Sequence, residues 1–82
     1  MSVPNFAEIY FNRGKKKGEH GQYEDAIADF DTAIHLNPDY TEAYCFRGLM
    51  KTSNGHYKSA ITDYDTAIHL DPDHAETYYL RG

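Results

Sequence analysis

A period of 34 residues runs through this 82-residue chain and constrains its fold more than any other feature. Residues 7–40 align without a gap on residues 41–74, and the two segments agree at 18 of 34 positions. The agreement includes the run Asp31–Leu36, which recurs as Asp65–Leu70. Because self-similarity at such a period is the signature of stacked repeats, we expect an array of small equal units.

Each copy predicts two antiparallel helices. The first helices extend over about 7–20 and 42–54, and the second over about 24–36 and 58–70. The second helices carry apolar residues with a period of 3.6 residues, which indicates one buried face. These residues are Ala26, Ile27, Phe30, Ala33 and Ile34, with Ala60, Ile61, Tyr64, Ala67 and Ile68 in the second copy.

Glycine and proline mark the ends of these helices. Glycine can take the positive φ that closes a helix, and Gly21 and Gly55 follow the first helices. A proline inside a helix costs about 3 kcal/mol, so Pro38 and Pro72 stop the second helices. The aspartate after each proline is predicted to cap the next helix. These aspartates are Asp39 and Asp73.

A glycine also recurs in the middle of each first helix, at Gly14 and Gly48. Glycine inside a helix costs about 1 kcal/mol relative to alanine. Its recurrence therefore indicates that another helix crosses the bare backbone at this point. Together with the apolar stripes, this predicts helix pairs packed into a solenoid.

The chain resembles the tetratricopeptide-repeat family in its spacing of large and small residues. The first copy matches at Tyr10, Gly14, Gly21, Tyr23, Ala26, Phe30, Ala33 and Pro38, the second at Tyr44, Gly48, Gly55, Tyr57, Ala60, Tyr64, Ala67 and Pro72, and Tyr78 and Gly82 begin a third match. The resemblance covers residues 7–82. It implies an all-α, right-handed α-solenoid of antiparallel helix pairs. The expected units are a lead-in (1–6), two complete repeats (7–40 and 41–74) and the first helix of a third (75–82).

Arginine stands where the family usually has leucine, at Arg13, Arg47 and Arg81. Asp29 and Asp63 lie on the second helices at about the height that these arginines reach. We expect Arg–Asp pairs between helices, and the alternative is that both side chains extend into solvent.

Lysine likewise replaces a large apolar residue of the family pattern, at Lys17 and Lys51. A lysine contributes less apolar contact than the residue that it replaces. The far ends of the first helices are therefore expected to pack loosely.

The resemblance implies that the first helices line a concave groove for an extended or helical peptide. The implied groove residues are Glu8, Phe11, Lys15, Glu19, Glu42, Cys45, Leu49, Thr52, Glu76 and Tyr79. Independently of the family, the period places Glu8, Glu42 and Glu76 in one row and Phe11, Cys45 and Tyr79 in a parallel, less polar row. Such a groove suits a protein or peptide ligand that is apolar with Lys or Arg nearby. The alternative is that these are ordinary solvated helix positions.

One family use is not expected here, namely capture of the C-terminal carboxylate of a chaperone tail. Relatives that do this use lysines, an arginine and asparagines at fixed groove positions. The corresponding residues are Phe11, Lys15, Phe46, Glu76 and Leu80. Only one of them is cationic, and Glu76 repels a carboxylate.

The third copy stops after about two helical turns and leaves an apolar edge at Tyr78, Tyr79 and Leu80. Repeat proteins usually need about three units and a polar cap. We therefore expect either self-association through this edge, which makes a homo-oligomer, or a longer array of which this chain is a piece. A purely architectural role is the alternative to peptide binding.

Other classes of function are not expected. The net charge of −5 argues against nucleic acid as a partner. No signal or membrane-spanning stretch occurs in the sequence, which predicts a cytoplasmic protein with no membrane partner. No catalytic, metal or cofactor motif such as HExxH or CxxC is present. His35 and His69 suit helix C-termini, and no histidine is placed to activate Cys45.

Overall fold

The computed structural model describes residues 4–73, in which the chain forms four helices and no strand. The helices are α1 (Phe6–Glu19), α2 (Tyr23–Leu36), α3 (Thr41–Ser53) and α4 (Tyr57–Leu70). Each boundary lies within one residue of its predicted position, and the predicted all-α helical-repeat fold is confirmed. Residues 75–82, the predicted first helix of a third repeat, lie outside the described residues.

The turn inside each repeat is closed by a glycine with positive φ, as predicted. Gly21 has φ 75° and Gly55 has φ 83°. At the first turn the N–H of Gln22 donates to the carbonyl of Lys17 over 2.9 Å, and that of Gly21 to Gly18 over 3.0 Å. This pair of bonds is the Schellman motif. The second turn repeats it, with His56 donating to Lys51 and Gly55 to Thr52.

The residue that caps α3 differs from expectation. The prediction that Asp39 caps α3 is wrong: the N-cap is Tyr40, whose side chain makes no capping hydrogen bond. The Asp39 N–H instead donates to Asn37 Oδ1 over 3.2 Å, a hydrogen bond within the turn that precedes the helix. The helix expected after Asp73 lies outside the described residues. The described cap is Asn5, whose Oδ1 accepts from the Glu8 N–H over 3.1 Å.

The two hairpins stack through α2, which packs on both α1 and α3. The core between them consists of Phe11, Ala26, Phe30, Ala33, Ala43 and Met50. The mid-helix glycines let the second helices approach closely. A Cβ on Gly14 would lie 2.8 Å from Phe30 Cε1, and one on Gly48 would lie 2.7 Å from Tyr64 Cε1. The helix crossing predicted from these glycines is therefore confirmed.

Candidate protein-interaction site

The predicted Arg–Asp pairs are present in both repeats. In the first repeat, Arg13 Nε donates to Asp29 Oδ2 over 3.2 Å. In the second, Arg47 holds both oxygens of Asp63, with Nε to Oδ2 at 3.0 Å and Nη2 to Oδ1 at 2.7 Å. Both aspartates are buried, and a buried carboxylate is stable only when it is paired. The pairs therefore position α1 and α3, the helices that face the groove.

The expectation of loose packing at the far ends of the first helices is wrong. Lys17 Nζ lies 3.0 Å from Asp29 Oδ2, and Lys51 Nζ lies 2.9 Å from Asp63 Oδ2. Each lysine thereby gives a buried aspartate a second cationic partner, and its side chain is only 29% or 17% exposed. The helices also approach closely here, because a Cβ on Gly18 would lie 2.6 Å from the sulfur of Met50.

Arg47 also joins the two repeats. Its Nη1 lies 2.7 Å from Asp31 Oδ1, on the second helix of the preceding repeat. Burial of Arg47 opposes its charge, but the hydrogen bonds with Asp63 and Asp31 outweigh this and raise the pKa of the guanidinium. Arg47 therefore stays charged in any solution in which the protein folds.

Aromatic rings cluster where α1 and α3 meet, at the surface that the family resemblance assigns to the groove. The ring of Phe11 lies 4.9 Å from that of Tyr40 and 5.4 Å from that of Phe46, in an edge-to-face arrangement with the latter. Phe30 contacts both phenylalanines from below, at 5.8 and 6.2 Å. Distances of this size between ring centroids are those of favourable aromatic pairs. The rings thus form one rigid cluster, which we call the aromatic floor.

Lys15 lies over this floor. Its Nζ is 5.3 Å from the ring centroid of Phe11 and 5.3 Å from that of Phe46. A cation at this distance is attracted by the negative face of a ring. The middle of the groove therefore carries a positive charge that the aromatic floor holds in place.

Two glutamates give the same groove a negative end. Glu8 and Glu42 are exposed near the starts of α1 and α3. Burial raises the pKa of the Tyr40 hydroxyl, and the charges of Glu42 and Glu8 raise it further. The two carboxylates therefore lie at the N-terminal ends of the helices that contribute Phe11 and Phe46 to the aromatic floor.

The remaining groove residues differ in accessibility. Phe11 and Cys45 are only 6% and 1% exposed, so they lie beneath the groove surface rather than forming an exposed apolar row. Leu49 and Thr52 are half-buried, and Glu19 is exposed. The predicted residues Glu76, Tyr78, Tyr79 and Leu80 lie outside the described residues.

Sequence reasoning did not place Tyr40 and Phe46 together in the floor. Tyr40 closes the first period and Phe46 lies six residues further on, so no single helix brings them together. The signal available was the density of aromatic residues around the start of α3. Their contact with Phe11 arises only when α1 and α3 pack side by side.

The described part of the chain holds no group of three or more His, Cys, Asp or Glu residues that could bind a metal ion. Within the same range, no helix is long and apolar enough to cross a membrane. The chemistry that the groove offers is charge, aromatic surface and aliphatic contact.

Two family models match the chain. One described as tetratricopeptide repeat matches residues 7–40, and one described as TPR repeat matches residues 48–82. The chain belongs to the tetratricopeptide-repeat (TPR) family. TPR repeats are generally scaffolds for protein interaction and not enzymes, and this TPR chain has the architecture of such a scaffold.

Solved structures agree with this assignment. The fold is similar to the crystal structure of MamA, with a TM-score of 0.88, 29% identity and 95% of this chain covered. It is also similar to the Arabidopsis OM64 TPR domain, with a TM-score of 0.89, 22% identity and 95% covered. The matched region spans 46% of the MamA chain and 66% of the OM64 chain. No curated protein sequence matches this chain significantly.

Proposed function

We propose that this TPR unit binds a peptide or helix of a partner protein in the groove between α1 and α3, and that it prefers apolar residues accompanied by Lys or Arg. The observation that carries the proposal is the packing of Phe11 against Tyr40 and Phe46 where α1 and α3 meet, with the exposed carboxylates of Glu8 and Glu42 in the first turns of the same two helices. A carboxylate pair next to apolar surface complements a basic residue next to an apolar one.

The charges of the groove also set the direction of the ligand. Lys15 repels a basic side chain in the middle of the groove, whereas Glu8 and Glu42 attract one at the N-terminal ends of the helices. The apolar part of the ligand then lies toward Leu49. An exposed ion pair contributes only about 0.2–1 kcal/mol, so apolar contact supplies most of the affinity and the carboxylates select the ligand.

The test uses labelled peptides that carry a Lys or Arg beside two or three apolar residues, and matched peptides with Glu in place of the basic residue. Binding is measured by fluorescence anisotropy. We expect the double variant E8Q/E42Q to lose about tenfold in affinity for the basic peptide and to reduce its salt dependence. The control is E24Q, which removes an exposed glutamate from α2 instead. Equal affinity of E8Q/E42Q and wild type for every basic peptide would contradict the proposal.

Phe11 is not a suitable position for this test. Its side chain is buried among Phe30, Tyr40 and Phe46, so a polar substitution would unfold the hairpin rather than report on a ligand. Leu49→Ala is the better apolar probe, since Leu49 is half-buried at the groove surface. We expect it to weaken binding while the helical circular dichroism signal stays unchanged.

Self-association through Tyr78, Tyr79 and Leu80 is a separate proposal, since these residues lie outside the described range. It predicts a light-scattering mass above that of one chain at high micromolar concentration. A mass of one chain at that concentration would contradict self-association without affecting the groove proposal. A cytoplasmic location is likewise part of the proposed function, and fractionation of cells that express the protein would test it.

A further inference from the structure

The outward face of α1 repeats the face by which α3 packs on the preceding helices, chiefly on α2. The two faces are related by the period of 34 residues. Ala43, Phe46, Arg47 and Met50 on α3 correspond to Ile9, Asn12, Arg13 and Lys16 on α1, and Tyr40 corresponds to Phe6. We call the set Phe6, Ile9, Asn12, Arg13 and Lys16 the α1 outer face. Its spacing of three and four residues places all five on one side of the helix.

Equivalent residues on the two faces differ in exposure. Ala43 is fully buried, whereas its equivalent Ile9 is 50% exposed. The side chain of Arg47 is 18% exposed, whereas that of Arg13 is 57% exposed. Phe6 is also more than half exposed. In the described part of the chain, the α1 outer face thus has two large apolar residues that are at least half exposed and a guanidinium that stays largely exposed although its Nε bonds Asp29 of α2.

The helix that covers the corresponding face of α3 shows what such a surface accepts. Most of that face is covered by α2, which contributes Ile27 and Ile34 beside the core and places Asp31 against Arg47 at 2.7 Å, while α1 also contacts Phe46 and Met50. The two helices run antiparallel, because Asn54 at the far end of α3 lies beside Glu24 at the start of α2. The occupant is therefore an amphipathic helix with an acidic residue between two aliphatic ones.

We propose that the α1 outer face is a second interaction surface, distinct from the groove, which binds an acidic amphipathic helix of the α2 type. Its Asp or Glu pairs with the outward side of the Arg13 guanidinium as Asp31 pairs with Arg47, and its aliphatic residues cover Phe6 and Ile9. Arg13 keeps its bond to Asp29 in this arrangement, since Arg47 holds two aspartates at once.

The charge of the surface narrows the partner further. Lys16 stands where Met50 stands on α3, so the α1 outer face carries two cations and no carboxylate. Lys16 lies three residues beyond Arg13, which is about 4.5 Å along the helix. In an antiparallel partner, a second carboxylate three or four residues before the first reaches Lys16. The preferred helix is therefore more acidic than α2 itself.

The test uses the full chain and a labelled peptide of residues 22–37, held helical by a side-chain cross-link between its positions 28 and 32, which lie off the Ile27–Asp31–Ile34 face. Binding is measured by fluorescence anisotropy. We expect saturable binding that weakens at least tenfold in the variant I9E. The matched control is I61E, since Ile61 is 51% exposed on α4, and its affinity should stay within about twofold of wild type.

A charge exchange tests the role of Arg13. We expect R13E to lose the peptide and to regain binding to a peptide with Asp31→Lys. Because R13E also places a carboxylate beside Asp29, its thermal melting is recorded, and I9E, which keeps the Arg13–Asp29 bond, provides the test if R13E is unfolded. The groove variant E8Q/E42Q should bind this peptide normally, which separates the result from that of the groove.

Two outcomes overturn the proposal. One is binding of the peptide by I9E as tightly as by wild type. The other is a wild-type chain that does not bind the peptide but sediments as a dimer, which I9E abolishes. That result would assign the α1 outer face to contact between two copies of this chain instead.

Discussion

Arg47 of the second repeat bonds Asp31 of the first repeat, with Nη1 and Oδ1 2.7 Å apart. The same guanidinium holds both oxygens of Asp63 on α4. One side chain therefore connects α2, α3 and α4. The stacking of the repeats and the closure of the second hairpin depend on the same residue, so they are coupled.

The first prediction concerns the link between repeats. Asp31→Asn should cost less than about 1 kcal/mol of unfolding free energy, because the Asp31 side chain is 56% exposed and solvent screens the pair. The cost should shrink further in 1 M NaCl. Urea denaturation at low and high salt measures both values. Asp39→Asn, in the exposed turn, is the control and should change nothing measurable. A cost independent of salt would contradict the ion-pair interpretation.

The second prediction compares the two buried aspartates. Asp63→Asn should lower the free energy of unfolding by about 3 kcal/mol. Asp29→Asn should lower it by about 2 kcal/mol or less. The reason is that the side chains of Arg47 and Lys51 are only 18% and 17% exposed, so water compensates little for the lost carboxylate. The side chain of Arg13 is 57% exposed. Urea denaturation of the two variants gives the difference directly. Equal costs would show that the exposure of the cationic partner does not matter.

The third prediction concerns the helix crossing at Gly48. Gly48→Ala should destabilise the chain by about 1–3 kcal/mol, although alanine is the better helix former. The added Cβ would lie 2.7 Å from the ring of Tyr64, which is only 5% exposed, so the ring or the helix must shift. Ser53→Ala, at the exposed end of α3, gains helix propensity without a clash and should be neutral or slightly stabilising. Thermal melting distinguishes the two, and a stabilised Gly48→Ala would refute the close approach.

The fourth prediction is a loss of stability at alkaline pH. The pKa values of Tyr40 and Tyr64 are raised above 10.0, chiefly by burial, so the folded state holds these protons more tightly than the unfolded state. Their contribution is complete below about pH 10 and is lost as the pH rises through the folded-state values. Y40F/Y64F should therefore lose less stability between pH 9 and pH 11 than wild type does, by urea denaturation. Equal losses would contradict the raised pKa values.

The sequence was sufficient for the fold because the information is local and duplicated. Glycine, proline and the apolar period each fix one boundary or face, and the second copy repeats every one of them. The Arg–Asp pairs were also predictable, because an arginine in a leucine position needs a buried partner at the same height.

The groove was harder to predict for a physical reason. The position of Phe11 in the repeat predicts that it faces the groove. It does not predict that the rings of Tyr40 and Phe46 pack against Phe11. The packing around Lys17 and Lys51 was hard to predict for a similar reason. The family pattern shows which residue Lys17 replaces. It does not show that the long side chain of Lys17 reaches a carboxylate on another helix.

The two glycine turns have a consequence for chemical synthesis. Gly21 and Gly55 have φ near +80°, and no atom lies within 4 Å of the place where the Cβ of an L-residue would lie. An L-residue is strained at such an angle, but its mirror image is at ease there. D-alanine at either exposed position should therefore raise the melting temperature, since it restricts the unfolded chain, an effect of about 0.4–1 kcal/mol. L-alanine at the same site should lower it.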